Sequence, residues 1–102
     1  MLALRPTCEH CDKPLPADST EAMICTYECT FCSDCVNDIL ENVCPNCGGG
    51  FSPRPQRPKT EWRLNVSLSH QPASKNPLHK PVDVEAHKVF AAKIKQIPPN
   101  ER

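Results

Sequence analysis

A chain of 102 residues is long enough for one small domain, and its twelve basic and twelve acidic side chains cancel. The opening Met1–Pro6 lacks the apolar run of a signal peptide, and nothing beyond it is apolar enough to span a membrane. These features predict a cytoplasmic, thiol-reducing setting and no membrane partner.

The neutral sum hides an asymmetry. Residues 1–50 carry two basic side chains against eight acids, net −6, and residues 51–102 carry ten against four, net +6. An acidic head is therefore joined to a basic tail, which either folds back on the head or meets an acidic partner.

In chain order the head presents Cys8-x2-Cys11, Cys25-x3-Cys29, Cys32-x2-Cys35 and Cys44-x2-Cys47, and no cysteine lies outside this window. Four close pairs supply eight soft ligands, enough for two closed tetrahedral zinc sites. Disulfides are the competing use, but cysteines two residues apart are poorly placed to cross-link distant parts of a fold. Between the pairs lies a short candidate core of Leu15, Met23, Ile24, Phe31, Val36, Ile39, Leu40 and Val43. Fifty residues bury too little apolar surface to fold on that alone. A structural zinc site contributes on the order of 10–16 kcal/mol, so metal is expected to be a condition of folding.

After Cys35 the apolar spacing of Val36, Ile39 and Leu40 predicts a short helix over 36–42, capped by Ser33 or Asp34. Gly48-Gly49-Gly50 marks the end of a first domain at residue 50, and the Pro/Arg-rich stretch 51–61 reads as an extended linker. Eight of the twelve prolines lie beyond residue 50, which excludes a compact sheet or long helix until past Pro81. Within the tail of 62–102, Trp62, Leu64, Val66 and Leu68 alternate with polar residues and predict a strand over 62–68. Ala86, Val89, Phe90, Ile94 and Ile97 predict an amphipathic helix over 83–97, with Asp83 as cap and Pro98-Pro99 as stop.

Spacing leaves two ways to share the metals. A sequential pairing gives the first four cysteines one zinc and the last four the other. An interleaved pairing gives Cys8, Cys11, Cys32 and Cys35 one zinc, and Cys25, Cys29, Cys44 and Cys47 the second.

The order Cys25, then Cys29-Thr-Phe31-Cys32-Ser-Asp-Cys35, an apolar-periodic stretch, and Cys44-Pro-Asn-Cys47 resembles the RING-finger superfamily and its treble-clef relatives. Phe31 stands where that family has its core aromatic, and Cys29 where most members have histidine. The resemblance covers residues 8–48 and implies a small, metal-stabilised α+β fold: a cross-braced two-zinc domain of a β-hairpin and one short helix, hence the interleaved pairing. Leu4–Leu15 and Glu28–Cys35 are closer still to a family of short cysteine-rich bacterial proteins of unassigned function. That likeness implies a bacterial protein and no particular activity, and it does not extend to the tail.

RING domains mostly serve ubiquitin ligases, but Asp12, Asn42-Val43 and Gly48 stand where such ligases present a large apolar residue, a bulky aromatic and a basic clamp. A catalytic zinc keeps one position open, whereas eight paired thiolates leave none. His10 reads as an exposed knuckle residue, and His70, His79 and His87 as surface residues without ligand spacing. Nucleic-acid binding is the rival: Arg54, Arg57, Lys59 and Arg63 offer phosphate contacts and Trp62 a stacking surface, against an acidic head. Zinc storage or thiol redox sensing is weaker, because metal-bound cysteines are inert. The sequence therefore predicts a non-catalytic zinc-binding adaptor whose protein partner meets the tail or the 36–42 helix.

Overall fold

The computed structural model describes residues 1–102. β1 (Ala22–Ile24) and β2 (Thr30–Cys32) form an antiparallel hairpin in which Met23 faces Phe31. Glu28 turns the chain between them at φ 68°, with its N–H on the Cys25 carbonyl at 3.0 Å. β3 (Ser52–Pro53) joins the open edge of β1, giving the order β2-β1-β3. A proline is tolerated there because an edge residue can leave its missing N–H facing outward. The head thus continues past Gly50, and the run 51–61 is not a free linker.

α1 (Ser33–Cys35) follows β2 directly and widens into a π-helical stretch, Val36–Leu40. Its cap is Cys32 rather than Ser33 or Asp34: the Cys32 sulfur accepts from the Cys35 N–H at 3.5 Å. Two successive left-handed residues, Glu41 (φ 54°) and Asn42 (φ 59°), end the helix and return their N–H groups to the Val36 carbonyl. Phe31, Val36 and Leu40 pack with Leu15, Ala22 and three cysteines into the core. Phe51 meets Phe31 edge to face at 5.6 Å. Of the predicted core, Met23, Ile24 and Ile39 are only partly buried, whereas Leu4, outside that set, is fully enclosed.

The tail wraps the head. Arg54, 4 % exposed, donates to the carbonyls of Arg5 (2.9 Å), Leu15 (3.2 Å) and Pro16 (2.9 Å). Arg57 donates to Leu2 and Gln71 carbonyls. The predicted strand over 62–68 is absent. Asn65 takes φ 64°, Arg63 and Val66 face each other across a tight turn, and Gln71 donates to the Asn65 carbonyl. Alternation alone could not make a strand here, because no partner edge reaches it; Trp62 and Leu64 are 78 % and 80 % exposed.

Further on, the Lys80 N–H meets the Glu9 carbonyl at 2.8 Å and the Val82 N–H meets His10 Nδ1 at 2.9 Å. The tail helix, α2, spans Val84–Ile94, with Asp83 Oδ1 accepting from the Ala86 N–H. It stops three residues short of the sequence expectation, and a 3-10 turn, Pro99–Glu101, follows. Ala91 is fully buried, and Lys95 pairs with Glu41 at 3.2 Å. No helix is long and apolar enough to cross a membrane.

Candidate metal centres

Three backbone devices aim the sulfurs. In the first knuckle, Asp12 at φ 63° sends its N–H to the Cys8 carbonyl (3.0 Å), and the Cys8 N–H meets the Lys13 carbonyl (2.9 Å). The last knuckle repeats this: Gly48 at φ 78° donates to the Cys44 carbonyl and Cys44 donates to Gly49, both at 2.8 Å. Such a turn curls a Cys-x2-Cys run so that both sulfurs face one point, and it needs a residue tolerant of left-handed backbone just after the second cysteine. The hairpin turn places Cys25 and Cys29, and the first helical turn places Cys32 and Cys35.

The fold brings Cys8, Cys11, Cys32 and Cys35 together, with all sulfurs within 4.8 Å of one another. Cys25, Cys44 and Cys47 form a second such group. Cys29 lies beside this second group, its sulfur facing those of Cys25 and Cys44 and accepting from Asn46 Nδ2 at 3.4 Å, but it is not within that distance of all three. The two groups interleave along the chain, so the sequential pairing is not what the fold assembles. All eight cysteines are free thiols.

The dimensions suit a metal. Cys11 and Cys32 sulfurs stand 3.8 Å apart. A tetrahedron with metal–sulfur bonds of about 2.3 Å has edges of roughly this length, whereas a disulfide needs about 2.05 Å. Backbone N–H groups also point at sulfur, Gly49 reaching Cys47 at 3.4 Å, as negative thiolates require.

The electrostatics say the same. Burial pushes Cys29, Cys32, Cys35 and Cys44 above the ordinary thiol value, and neighbouring sulfurs add to the rise at Cys35 and Cys44. At Cys11 and Cys25 burial pulls the same way, but N–H groups of Lys13 for the one, and of Cys29 and Tyr27 for the other, help bring the thiol below its usual value. Four thiolates packed this closely repel one another, and a dication in their midst removes that conflict.

Four positions play roles the sequence did not disclose. Glu9 is 3 % exposed and its Oε2 accepts from the Thr30 N–H at 2.6 Å. His10 is half-buried and ties down the tail, with its carbonyl 3.1 Å from His79 Nε2. His87 is no surface residue: it is 4 % exposed, with Nε2 on the Leu40 carbonyl at 3.0 Å. Arg54 is committed to backbone carbonyls. Only His87 had a local signal, its position one turn from Ala91 on the face of α2 that packs inward.

No solved structure matches the chain. It is 51 % identical over 81 residues to "Uncharacterized protein R02474" of Rhizobium meliloti (strain 1021), covering 79 % of this chain and 89 % of that one. The family model described as "Protein of unknown function (DUF1272)" matches residues 1–57, a span that holds every cysteine, the three-stranded sheet and Arg54. The likeness to the Rhizobium protein is longer than that span and so continues into the tail. With more than half its length in that match, the chain belongs to the DUF1272 family of bacterial proteins.

Proposed function

We propose that this chain is a non-catalytic interaction protein held together by two structural zinc ions in a cross-braced, RING-like arrangement. Cys8, Cys11, Cys32 and Cys35 hold one ion; Cys25, Cys29, Cys44 and Cys47 hold the other. The observation that carries the reading is the interleaving of two sulfur groups around one core. Each ion then joins segments that local structure alone leaves apart, and eight sulfurs leave no coordination position for a substrate. A knuckle, a hairpin and a helix that carries the second pair of sulfurs are also the parts of a treble clef. Free thiols suit a cytoplasmic setting.

The tail, not the 36–42 segment, supplies the partner surface in this reading. Trp62, Leu64 and Val66 stand out on a turn whose ends are pinned by Leu68 N–H to Pro58 and by Arg57 to Gln71. Rigid, exposed tryptophan and arginine are the side chains that dominate protein interfaces. Against nucleic acid, Arg54 and Arg57 are already bonded within the protein, which leaves Lys59 and Arg63 as free cations nearby.

Metal analysis of protein purified without added zinc, with thiol titration before and after chelation, tests the first half. Two zinc ions per chain and no reactive thiol until chelation are expected; iron, one metal or disulfides would overturn it. A photo-crosslinking residue placed at Trp62, compared with one at Asn37, tests the second half. Discrete adducts in cells from position 62 alone support it, and adducts from position 37 alone or from neither sink it.

A further inference from the structure

A cleft of about 260 Å³ opens where the tail crosses the first knuckle, lying between that knuckle, the last knuckle and α2. Its walls include the rings of Phe31 and Phe90 together with Pro45 and Val82. Into this apolar setting the fold places Glu9, a carboxylate that is 3 % exposed. One of its oxygens is fixed by the Thr30 N–H at 2.6 Å; the other has no hydrogen-bond partner, and no cation lies within ion-pair distance. A second carboxylate, Asp83, stands in the same lining with only Oδ1 engaged, by the N–H of Ala86.

A carboxylate enclosed this far, with one oxygen fixed, the other open to the cleft and no cation beside it, is shaped to receive a positive group. We propose that this cleft binds an organic cation: an ammonium or guanidinium group carried on an aliphatic stem. The head group pairs with the free oxygen of Glu9 and with Asp83. The exposed ring of Phe90 offers cation–π contact, and Pro45 and Val82 take the stem. The volume lies just below the roughly 300 Å³ at which drug-sized pockets begin, so the ligand is the size of one long side chain or a short diamine. A divalent metal is the poorer match, because it needs six or more oxygens and the lining is mostly apolar. Lys80 lines the rim but makes no ion pair with either carboxylate, so the chain does not supply its own cation. This assignment goes beyond the adaptor reading and does not need it.

The test is an amide-shift titration of the full, metal-loaded chain with putrescine and, separately, with Nα-acetyl-lysine methylamide, using butyrate as an anion of similar length. Saturable shifts at Thr30, Val82 and His87 with a cation and none with butyrate are expected. Tighter binding of the diamine identifies a free amine as the natural ligand; tighter binding of the lysine amide identifies a protein side chain. E9Q keeps an oxygen to accept from Thr30, so it should fold as wild type yet bind at least roughly tenfold more weakly. Ala86→Leu fills the cleft from α2 and should abolish binding without touching Glu9. K80A should bind no more weakly than wild type. Absence of saturable shifts with both cations, equal shifts with butyrate, or unchanged affinity in folded E9Q would overturn the assignment.

Discussion

Replacing Arg54 with alanine removes the side chain that ties the start of the tail to both ends of the first knuckle. Its guanidinium makes three hydrogen bonds to carbonyls, of which the one to Leu15 is fully buried and those to Arg5 and Pro16 are partly buried. A hydrogen bond with one charged partner contributes about 1.5–3 kcal/mol when buried. Water replaces part of that at the two accessible carbonyls, and losing Arg54 also relieves the desolvation that pulls its pKa down. The net expectation for R54A is a loss of about 2–4 kcal/mol, a large share of the ~5–15 kcal/mol that holds a small domain. Urea unfolding of metal-loaded protein, followed by circular dichroism with constant slope, reads this directly. A change under about 0.5 kcal/mol, the range of surface substitutions, refutes the reasoning. If such a stable R54A also lost retention on nucleic acid, Arg54 would be the phosphate contact that its place in the sequence first suggests.

Four further outcomes follow from the geometry. Gly48→Ala meets only ordinary contacts, with Ile94 Cδ1 at 3.6 Å and Phe90 Cζ at 3.7 Å, so its cost is the left-handed backbone alone. A destabilisation of about 1–2 kcal/mol in urea is expected, and a much larger one would contradict the reading that only the backbone is strained. C32S removes a sulfur from the tight group and the cap of α1 together, so elemental analysis should show one metal equivalent lost and dichroism a loss of structure. C29S removes a sulfur from the second group without touching a helix cap, so it should weaken that site in a chelator competition while the helices remain; an unweakened site would mean that Cys29 is not the fourth ligand. Zinc binding should release protons at neutral pH, because cysteines that are thiols before the metal arrives must bind as thiolates, and burial raises Cys35 and Cys44 further. Apparent affinity therefore rises with pH and acid strips the metal, as an indicator-dye titration in weak buffer would show; pH-independent loading would contradict it.

What could be read from the sequence was local. Each Cys-x2-Cys knuckle announces itself within four residues, and Asp83 with Pro98-Pro99 brackets α2 closely, whereas the hairpin is implied only by the likeness to the RING order. The sharing of cysteines between the two groups is a long-range property that spacing leaves open, and only the likeness of the order around Phe31 to a known architecture favours one pairing. The strand over 62–68 failed because period-two alternation describes one edge only, and Asn65 turned the chain before a partner could form. Val36–Leu40 was legible as a helix but not as a π-helical one, since the wide turn is set by the Glu41–Asn42 reversal that returns the chain to Phe51. Glu9 was illegible for a simpler reason, its burial being produced by segments more than twenty residues away, and His87 offered only its place one turn from Ala91.

The charge asymmetry between head and tail is used in an unexpected way. Across the seam there is a single ion pair, Lys95 with Glu41. The stronger ties are arginines donating to backbone carbonyls of the head: Arg54 to Arg5, Leu15 and Pro16, Arg57 to Leu2, and Arg102 to Asn42 (2.7 Å) and Gly48 (3.3 Å). A head built of knuckles and turns has little ladder to satisfy its carbonyls, and each one buried without a donor is costly. The guanidinium carries five donors in a fixed fork and meets several carbonyls at once, whereas an ammonium acts as a hydrated point charge. The partition of the tail follows that difference: Arg54 is buried, Arg57 and Arg102 are half-buried, and all six lysines beyond residue 50 are exposed. Arginine-to-lysine changes at 54, 57 and 102 should therefore destabilise even though charge is kept, while lysine-to-arginine changes at 59, 75 and 88 should stay within about 0.5 kcal/mol of wild type. Equal tolerance of the two sets in urea unfolding would mean that long-range attraction, rather than carbonyl satisfaction, holds the tail to the head.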